Sequence, residues 1–307
     1  MIMARIQQLV FAVLALAAVA CPAIAQEKLN VVATFSILGD FARNVGGDRV
    51  NVTTLVGPNG DTHVYTPSPS DARTIANAQV VIVNGLGLEG WLPRLIGSAS
   101  RKDRVRTVVA TRGIKPLTVA EDHHGHSHDH DADADPHAWQ SVANAKIYVA
   151  NIRDGLIAAD PAGADAYKAN TDAYLAQLDA LDREVRAAIA TIPPDRRKVI
   201  SSHSAFGYFA AAYGVAFVAP QGVSTDTEPS ARDVAAIITQ IKKQKIPAIF
   251  LENISDPRLM RRIAAETGAK IGETLYSDSL TEENGAAPTY IAMVRHNIKA
   301  LTSALSI

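Results

Sequence analysis

The sequence predicts an α/β protein with mostly parallel sheets, divided into two halves by one long helix. Three observations carry that expectation. Short β-branched runs alternate with longer helical patterns, the alternation resumes in the second half of the chain, and the 28 residues 165–192 between them contain neither glycine nor proline. Strands that alternate with helices pack as parallel sheets covered by helices on both faces.

The first 25 of the 307 residues are set aside as an export signal: Arg5 gives a positive start, residues 9–20 form an apolar run, and Ala23-Ile24-Ala25 is a small-x-small cleavage site. Roughly a dozen apolar residues fall short of the ~20 that span a bilayer as a helix. The only cysteine, Cys21, lies within this segment. Cleavage after Ala25 would leave a periplasmic mature chain with neither disulfides nor thiolate metal ligands, and lipid attachment at Cys21 is the alternative. Arg5 is the one charge removed, so Lys+Arg falls from 30 to 29 against 31 Asp+Glu and the formal net charge moves from −1 to −2. That balance gives no electrostatic footprint for nucleic acid. About 280 mature residues exceed the usual size of a single core, which suggests two domains. The expected division is a first lobe over 26–158, a connecting helix over 159–192 and a second lobe over 193–307.

In chain order, the strand candidates of the first half are residues 29–35, 50–56, 80–84 and 107–110. Those of the second are 198–202, 215–219, 248–252 and 270–276. Between them, Tyr167, Tyr174, Leu178, Leu181, Val185, Ala188 and Ile192 recur at helical spacing. A helix of that length extends roughly 42 Å, enough to run past both halves as a rigid connector. Pro193-Pro194 ends it, because proline lacks an amide hydrogen and bends the preceding residue out of helical geometry.

Residues 122–136 are a different kind of sequence, with five histidines (His123, His124, His126, His128 and His130), five aspartates and almost nothing apolar. Such a tract cannot bury enough surface to order itself, and it reads as a mobile loop inserted in the first lobe.

Of the nine histidines, only His63, His137, His203 and His296 fall outside that tract. His63 lies in a turn-rich loop after the 50–56 strand, His137 follows Asp135-Pro136, and His203 follows the strand ending at Ser202. Asp278 lies just beyond the strand ending near Tyr276. Strand ends are where open α/β folds place their ligands. Imidazole nitrogen suits zinc, and a carboxylate oxygen can complete a tetrahedron without cysteine. The intervals of 74, 66 and 75 residues between these four match no local metal motif, so the residues alone leave structural roles open. His296, within the last helical pattern, reads as a surface or capping residue.

The words around these residues resemble a known family. Gly60-Asp61-Thr62-His63-Val64-Tyr65-Thr66-Pro67, Asp135-Pro136-His137-Ala138-Trp139, Ser202-His203-Ser204-Ala205-Phe206-Gly207-Tyr208-Phe209 and Tyr276-Ser277-Asp278-Ser279-Leu280 resemble, in order, the four ligand motifs of the metal-binding proteins of zinc and manganese ABC importers, the cluster A-I group. The similarity covers essentially the whole mature chain. It implies two pseudo-symmetric α/β lobes, a rigid helical connector and one metal in the cleft, held by His63, His137, His203 and Asp278. It also implies a permease partner in the inner membrane, and a monomer. Thr62 departs from the proline usual before the first histidine, and Gln140-Ser141-Val142 from the usual continuation after the tryptophan.

Manganese-selective members of that group tend to carry glutamate at the third position, where this chain has His203, so the resemblance points to the zinc-specific branch. The His/Asp tract sits where zinc-specific members carry a similar loop, which implies weak recruitment of further zinc and acceptance from a periplasmic zinc metallochaperone. Binding needs neutral imidazoles, so affinity is expected to fall chiefly below about pH 6. The rival functions are a zinc hydrolase with an open coordination position and a metal-binding adhesin or buffer on the same fold. No H-E-x-x-H motif supports the hydrolase, and Glu252, at a strand end, is the one carboxylate placed to line the cleft beside the metal.

Overall fold

The computed structural model describes residues 27–98, 105–118 and 134–306. The export signal with Cys21 and the histidines at 123, 124, 126, 128 and 130 lie outside the described residues.

Two four-stranded sheets form the framework. The first contains β1 (Leu29–Phe35), β2 (Val50–Val56), β3 (Val80–Val83) and β4 (Arg106–Val109) in the order β2-β1-β3-β4. The second contains β5 (Lys198–Ile200), β6 (Ala216–Val218), β7 (Ala248–Ile249) and β8 (Lys270–Ile271) in the order β6-β5-β7-β8. Every pairing is parallel, and the second half repeats the strand order of the first. The crossovers are α1 (Ser36–Gly46), α2 (Pro69–Asn77) and α3 (Leu92–Ser98) in one lobe. The first sheet is followed by α4 (Val142–Ala159) and the long α5 (Ala164–Ala190). The second lobe adds α6 (Gly207–Tyr213), α7 (Ala231–Gln244) and α8 (Arg258–Thr267), and α9 (Tyr290–Leu305) ends the described chain.

The repeat extends to local chemistry. In the first lobe the loop after the second strand enters α2 through a capping box, in which Ser68 accepts the Asp71 amide and Asp71 accepts the Ser68 amide. Ser230 and Asp233 make the same reciprocal pair where the loop after β6 enters α7. Each box satisfies two amides that the helix cannot, and is worth about 1 kcal/mol.

Second-lobe strands are shorter than their apolar runs suggest. The 248–252 and 270–276 runs form ladders only at Ala248–Ile249 and Lys270–Ile271, and pairing returns as an isolated bridge between Glu252 and Leu275. The Gly272 amide still reaches Ile249 and the Leu275 amide reaches Leu251, so the residues between them bulge from the ladder.

Helix α5 has 27 residues, and Tyr167, Tyr174, Leu178, Leu181, Val185 and Ile189 form its buried stripe. The helix packs against α1, α4 and α9. One hydrophobic cluster contains Phe35 and Phe41 of the first lobe, Leu178 and Val185 of α5, Phe209 and Phe250 of the second lobe, and Leu301 of α9. Each such side chain contributes about 1.5–3 kcal/mol when fully buried. Asp40 of α1 is buried where the three helices meet and accepts the Tyr290 amide at the start of α9, 3.0 Å away, and the Tyr174 hydroxyl at 3.4 Å. Burial pushes its carboxyl up, and the Tyr290 amide partly counters this. Among the described residues no helix is long and apolar enough to cross a membrane.

Candidate metal centre

Parallel strands end together, and the loops leaving their C-terminal ends converge in the crevice between the lobes. His63 lies on the loop after β2, His137 on the segment between β4 and α4, His203 on the loop after β5, and Asp278 beyond β8. The structure brings all four together, with one donor atom from each lying within 4.8 Å of the other three. His63 Nε2 is 3.3 Å from His137 Nε2 and 3.2 Å from Asp278 Oδ2. His203 Nε2 is 3.4 Å from His137 Nε2 and 3.1 Å from Asp278 Oδ2, and His137 Nε2 is 3.5 Å from that same oxygen. A tetrahedron with bonds of about 2.0–2.1 Å has edges of about 3.3–3.4 Å, so these separations suit a single small cation.

The side chains of His137, His203 and Asp278 are fully buried, and that of His63 is 4% exposed. The second carboxylate oxygen of Asp278, Oδ1, is buried with no hydrogen-bond partner. Such an oxygen is costly to bury unless a cation or donor faces its carboxylate, which fits a metal-binding role. Burial alone would raise the Asp278 carboxyl, but His137 and His203 hold it well below the usual carboxylate range.

Each inner histidine is oriented by a carboxylate behind it. His137 donates its Nδ1–H to Asp135 Oδ1 at 2.8 Å, and its backbone amide donates to the same oxygen at 2.9 Å. His203 Nδ1 lies 2.6 Å from Glu252 Oε2, while Glu252 Oε1 accepts the amides of Ser202 at 2.7 Å and His203 at 3.1 Å. Both pairings turn Nε2 toward the centre and raise its basicity. Burial pulls the His137 imidazole down, but the charges of Asp278 and Asp135 outweigh it and push it up to about 9. His203 is likewise raised well above the ordinary imidazole range, against burial, by Glu252 and Asp278. Glu252 lies beside the cluster, with Oε1 accepting two amides of the His203 segment and Oε2 against His203 Nδ1.

His63 is held through its backbone: its amide donates to Asp61 Oδ1 at 2.9 Å, and the preceding Thr62 carbonyl accepts Trp91 Nε1 at 2.8 Å. His296 stays apart, with Nε2 2.9 Å from the Thr274 carbonyl and its ring against Tyr276.

Sequence reasoning missed the fastenings between the loops. Asn84 donates to the Pro136 carbonyl beside His137 at 2.9 Å and accepts the Tyr148 hydroxyl at 2.6 Å. Trp139 Nε1 and Gln140 Nε2 both donate to the Ser277 carbonyl, at 2.9 and 2.7 Å, one residue before Asp278. Gln140 had stood out as a departure from the family pattern. Its position there was the one available signal. Gly207 is also explained, since a Cβ there would collide with Asp135 Oδ2.

A family model described as zinc-uptake complex component A, periplasmic, matches residues 31–304. The manganese-binding lipoprotein MntA of Halalkalibacterium halodurans is 36% identical over 280 residues, covering 91% of this chain and 89% of that protein. The iron-binding protein YfeA of Yersinia pestis is 34% identical over 280 residues, covering 91% and 87%. Among solved structures, the periplasmic zinc binding protein TroA from Treponema pallidum has a TM-score of 0.82 at 29% identity, over 91% of this chain and 100% of that one. The metals named for these relatives differ, while each is named for binding a metal. The chain therefore belongs to the family of the periplasmic zinc-uptake complex component A, and is a metal-binding, substrate-binding component of an ABC importer rather than an enzyme.

Proposed function

We propose that this protein captures a zinc ion between His63, His137, His203 and Asp278 and delivers it to the permease of an ABC importer in the inner membrane. The observation that carries this reading is a donor set of three imidazole nitrogens and one carboxylate oxygen at tetrahedral spacing. Zinc favours four-coordinate nitrogen-rich sites, whereas manganese favours six ligands and more oxygen. Zinc here is cargo, and the single carboxylate offsets half its charge. Copper outranks zinc in intrinsic affinity, so selectivity in the cell also depends on supply.

Native mass spectrometry of the mature protein with zinc, manganese and copper in competition tests the reading. One zinc per chain is expected at equal free zinc and manganese. Retention of manganese in preference to zinc would sink the zinc assignment, and a mass beginning at Cys21 with added acyl chains would replace free diffusion in the periplasm by a lipid anchor.

Around that site we read residues 26–158 and 193–307 as lobes and 159–192 as their connector, in a monomer. The histidines at 123, 124, 126, 128 and 130 would hold further zinc weakly, raise its local concentration and receive it from a periplasmic metallochaperone. Deleting residues 123–130 should slow zinc loading at limiting metal. Unchanged loading, both from solution and from a donor protein, would remove that role.

A further inference from the structure

Among the hydrogen bonds that cross the crevice between ligand loops, two fastenings differ in their exposure to solvent. The inner one, from Trp139 and Gln140 to Ser277, joins the His137 and Asp278 loops and is buried. The outer one is a single half-buried hydrogen bond of 2.6 Å from the Thr225 hydroxyl to Asp61 Oδ2. Asp61 precedes His63 by two residues and accepts its amide through Oδ1. Thr225 lies on the loop after β6, which is tied to the His203 segment: the Ser204 amide donates to the Gly222 carbonyl at 3.0 Å, and the Ser204 hydroxyl to the Gln221 carbonyl at 3.2 Å. Gln221 in turn donates to the Thr225 and Thr227 carbonyls and so shapes the loop around the hydroxyl.

A cavity of about 520 Å³ opens beside this bond, lined by Asp61 and Thr225 and reaching Ser202, the neighbour of His203. The cavity therefore reaches from solvent to the seam between the His63 and His203 loops. His137, His203 and Asp278 are otherwise enclosed.

We infer that the Thr225 hydroxyl, acting through Asp61, is a positioning group that sets the rate at which metal enters and leaves between His63 and His203. This rests on the four-residue metal site proposed above, but not on the choice of zinc. While the bond is made, the two loops are pinned together over the cluster. When it breaks, the Asp61–His63 end of that loop can move outward into the cavity, since outside the cluster itself the other bonds from the second lobe, from Asn253, Ser279 and Leu280, fall on Gly57 and Asn59 ahead of Asp61, and Trp91 holds Thr62 from within the first lobe. A hydrogen bond to a carboxylate is stronger than a neutral one, so its removal should raise the open population about tenfold or more.

The test is metal release into excess chelator, followed by stopped flow, for the full mature protein and the variants Thr225→Val and Thr225→Ser. Thr225→Val is expected to release and to load metal about tenfold faster, with a much smaller change in equilibrium affinity, because both directions pass through the same seam. Thr225→Ser, which keeps the hydroxyl, should remain within about twofold of the parent. A Thr225→Val variant with parental release and a parental melting curve overturns the inference, as does a loss of affinity carried only by faster release. Running the series with zinc and with manganese separates the two proposals: a parent that holds manganese but not zinc refutes the zinc assignment, and the release ratio measured with manganese still decides the role of Thr225.

Discussion

Trp139 donates its indole N–H across the crevice to the carbonyl of Ser277, 2.9 Å away, and so ties the loop of His137 to the residue before Asp278. Gln140 shares that acceptor from 2.7 Å. Two donors on one carbonyl hold the backbone that aims Asp278 Oδ2.

Gln140→Leu keeps much of the buried volume and removes one of the two donors. A net hydrogen bond is worth about 1 kcal/mol, or roughly fivefold. Zinc affinity should fall about five- to tenfold by competition with a chromophoric chelator while the far-ultraviolet circular dichroism is unchanged. Parental affinity would show that Trp139 alone positions the Asp278 loop.

His137→Ala and His203→Ala each remove one of four donors. Affinity should drop by at least about a hundredfold, because the centre then lacks a nitrogen and leaves a carboxylate, Asp135 or Glu252, without its partner. Thermal melts should show that the metal-free fold survives. A variant that binds zinc as the parent does would remove that histidine from the cluster.

Asp135→Asn and Glu252→Gln leave every candidate ligand in place and change only the groups behind His137 and His203. Loss of such partners costs about 10–100-fold in metal affinity. Isothermal titration with zinc checks this for both variants, and an effect under twofold would assign the two carboxylates to folding alone.

The expected pH window moves upward from the sequence estimate near pH 6. Against the pull of burial, His137 is raised from 6.5 to about 9 by Asp278 and Asp135, and His203 is raised in the same direction by Glu252 and Asp278, so the metal-free cluster favours protonated imidazole to higher pH than a free histidine does. An incoming cation must displace such protons, so affinity should keep climbing with pH through 7 and 8. Calorimetry in buffers of different ionisation enthalpy should register net proton release on zinc binding at pH 7. Release of none would show that the histidines are already neutral.

Stability of the metal-free form should run the other way. A raised histidine favours the fold most fully below its unfolded value of 6.5 and loses that contribution as the pH passes its folded value of about 9, so the metal-free melting temperature should decline across that interval. Asp278 is depressed below 3.8, so its contribution is present at neutral pH and disappears only in acid. Melts at pH 6, 7.5 and 9 check the sign, and a metal-free protein that grows more stable toward pH 9 would contradict it.

The elements that position the centre were legible where local pattern controls them. Residues 165–192 showed their helix through the absence of breakers and the recurrence of Tyr167, Tyr174 and Leu178, and α5 spans Ala164–Ala190. His63, His137, His203 and Asp278 were marked by strand ends and surrounding motif words. The fastenings were not legible, because each depends on a distance that no local pattern encodes. Thr225 and Asp61 are separated by 164 residues, and Trp139 and Ser277 by 138. The lengths expected for β7 and β8 were too great for a related reason: apolar runs report burial, and burial continues into residues such as Phe250 and Leu275 after regular pairing has ended.

Because apolar side chains from one face of each sheet join those of α5 and α9 in a single cluster, neither half of the molecule could be cut free without exposing an oily flank. Heating should accordingly unravel the whole chain in a single step rather than lobe by lobe. The importer would then meet a stiff body whose cargo state is written in the rim loops that carry Asp61 and Thr225, with little swing of one sheet against the other.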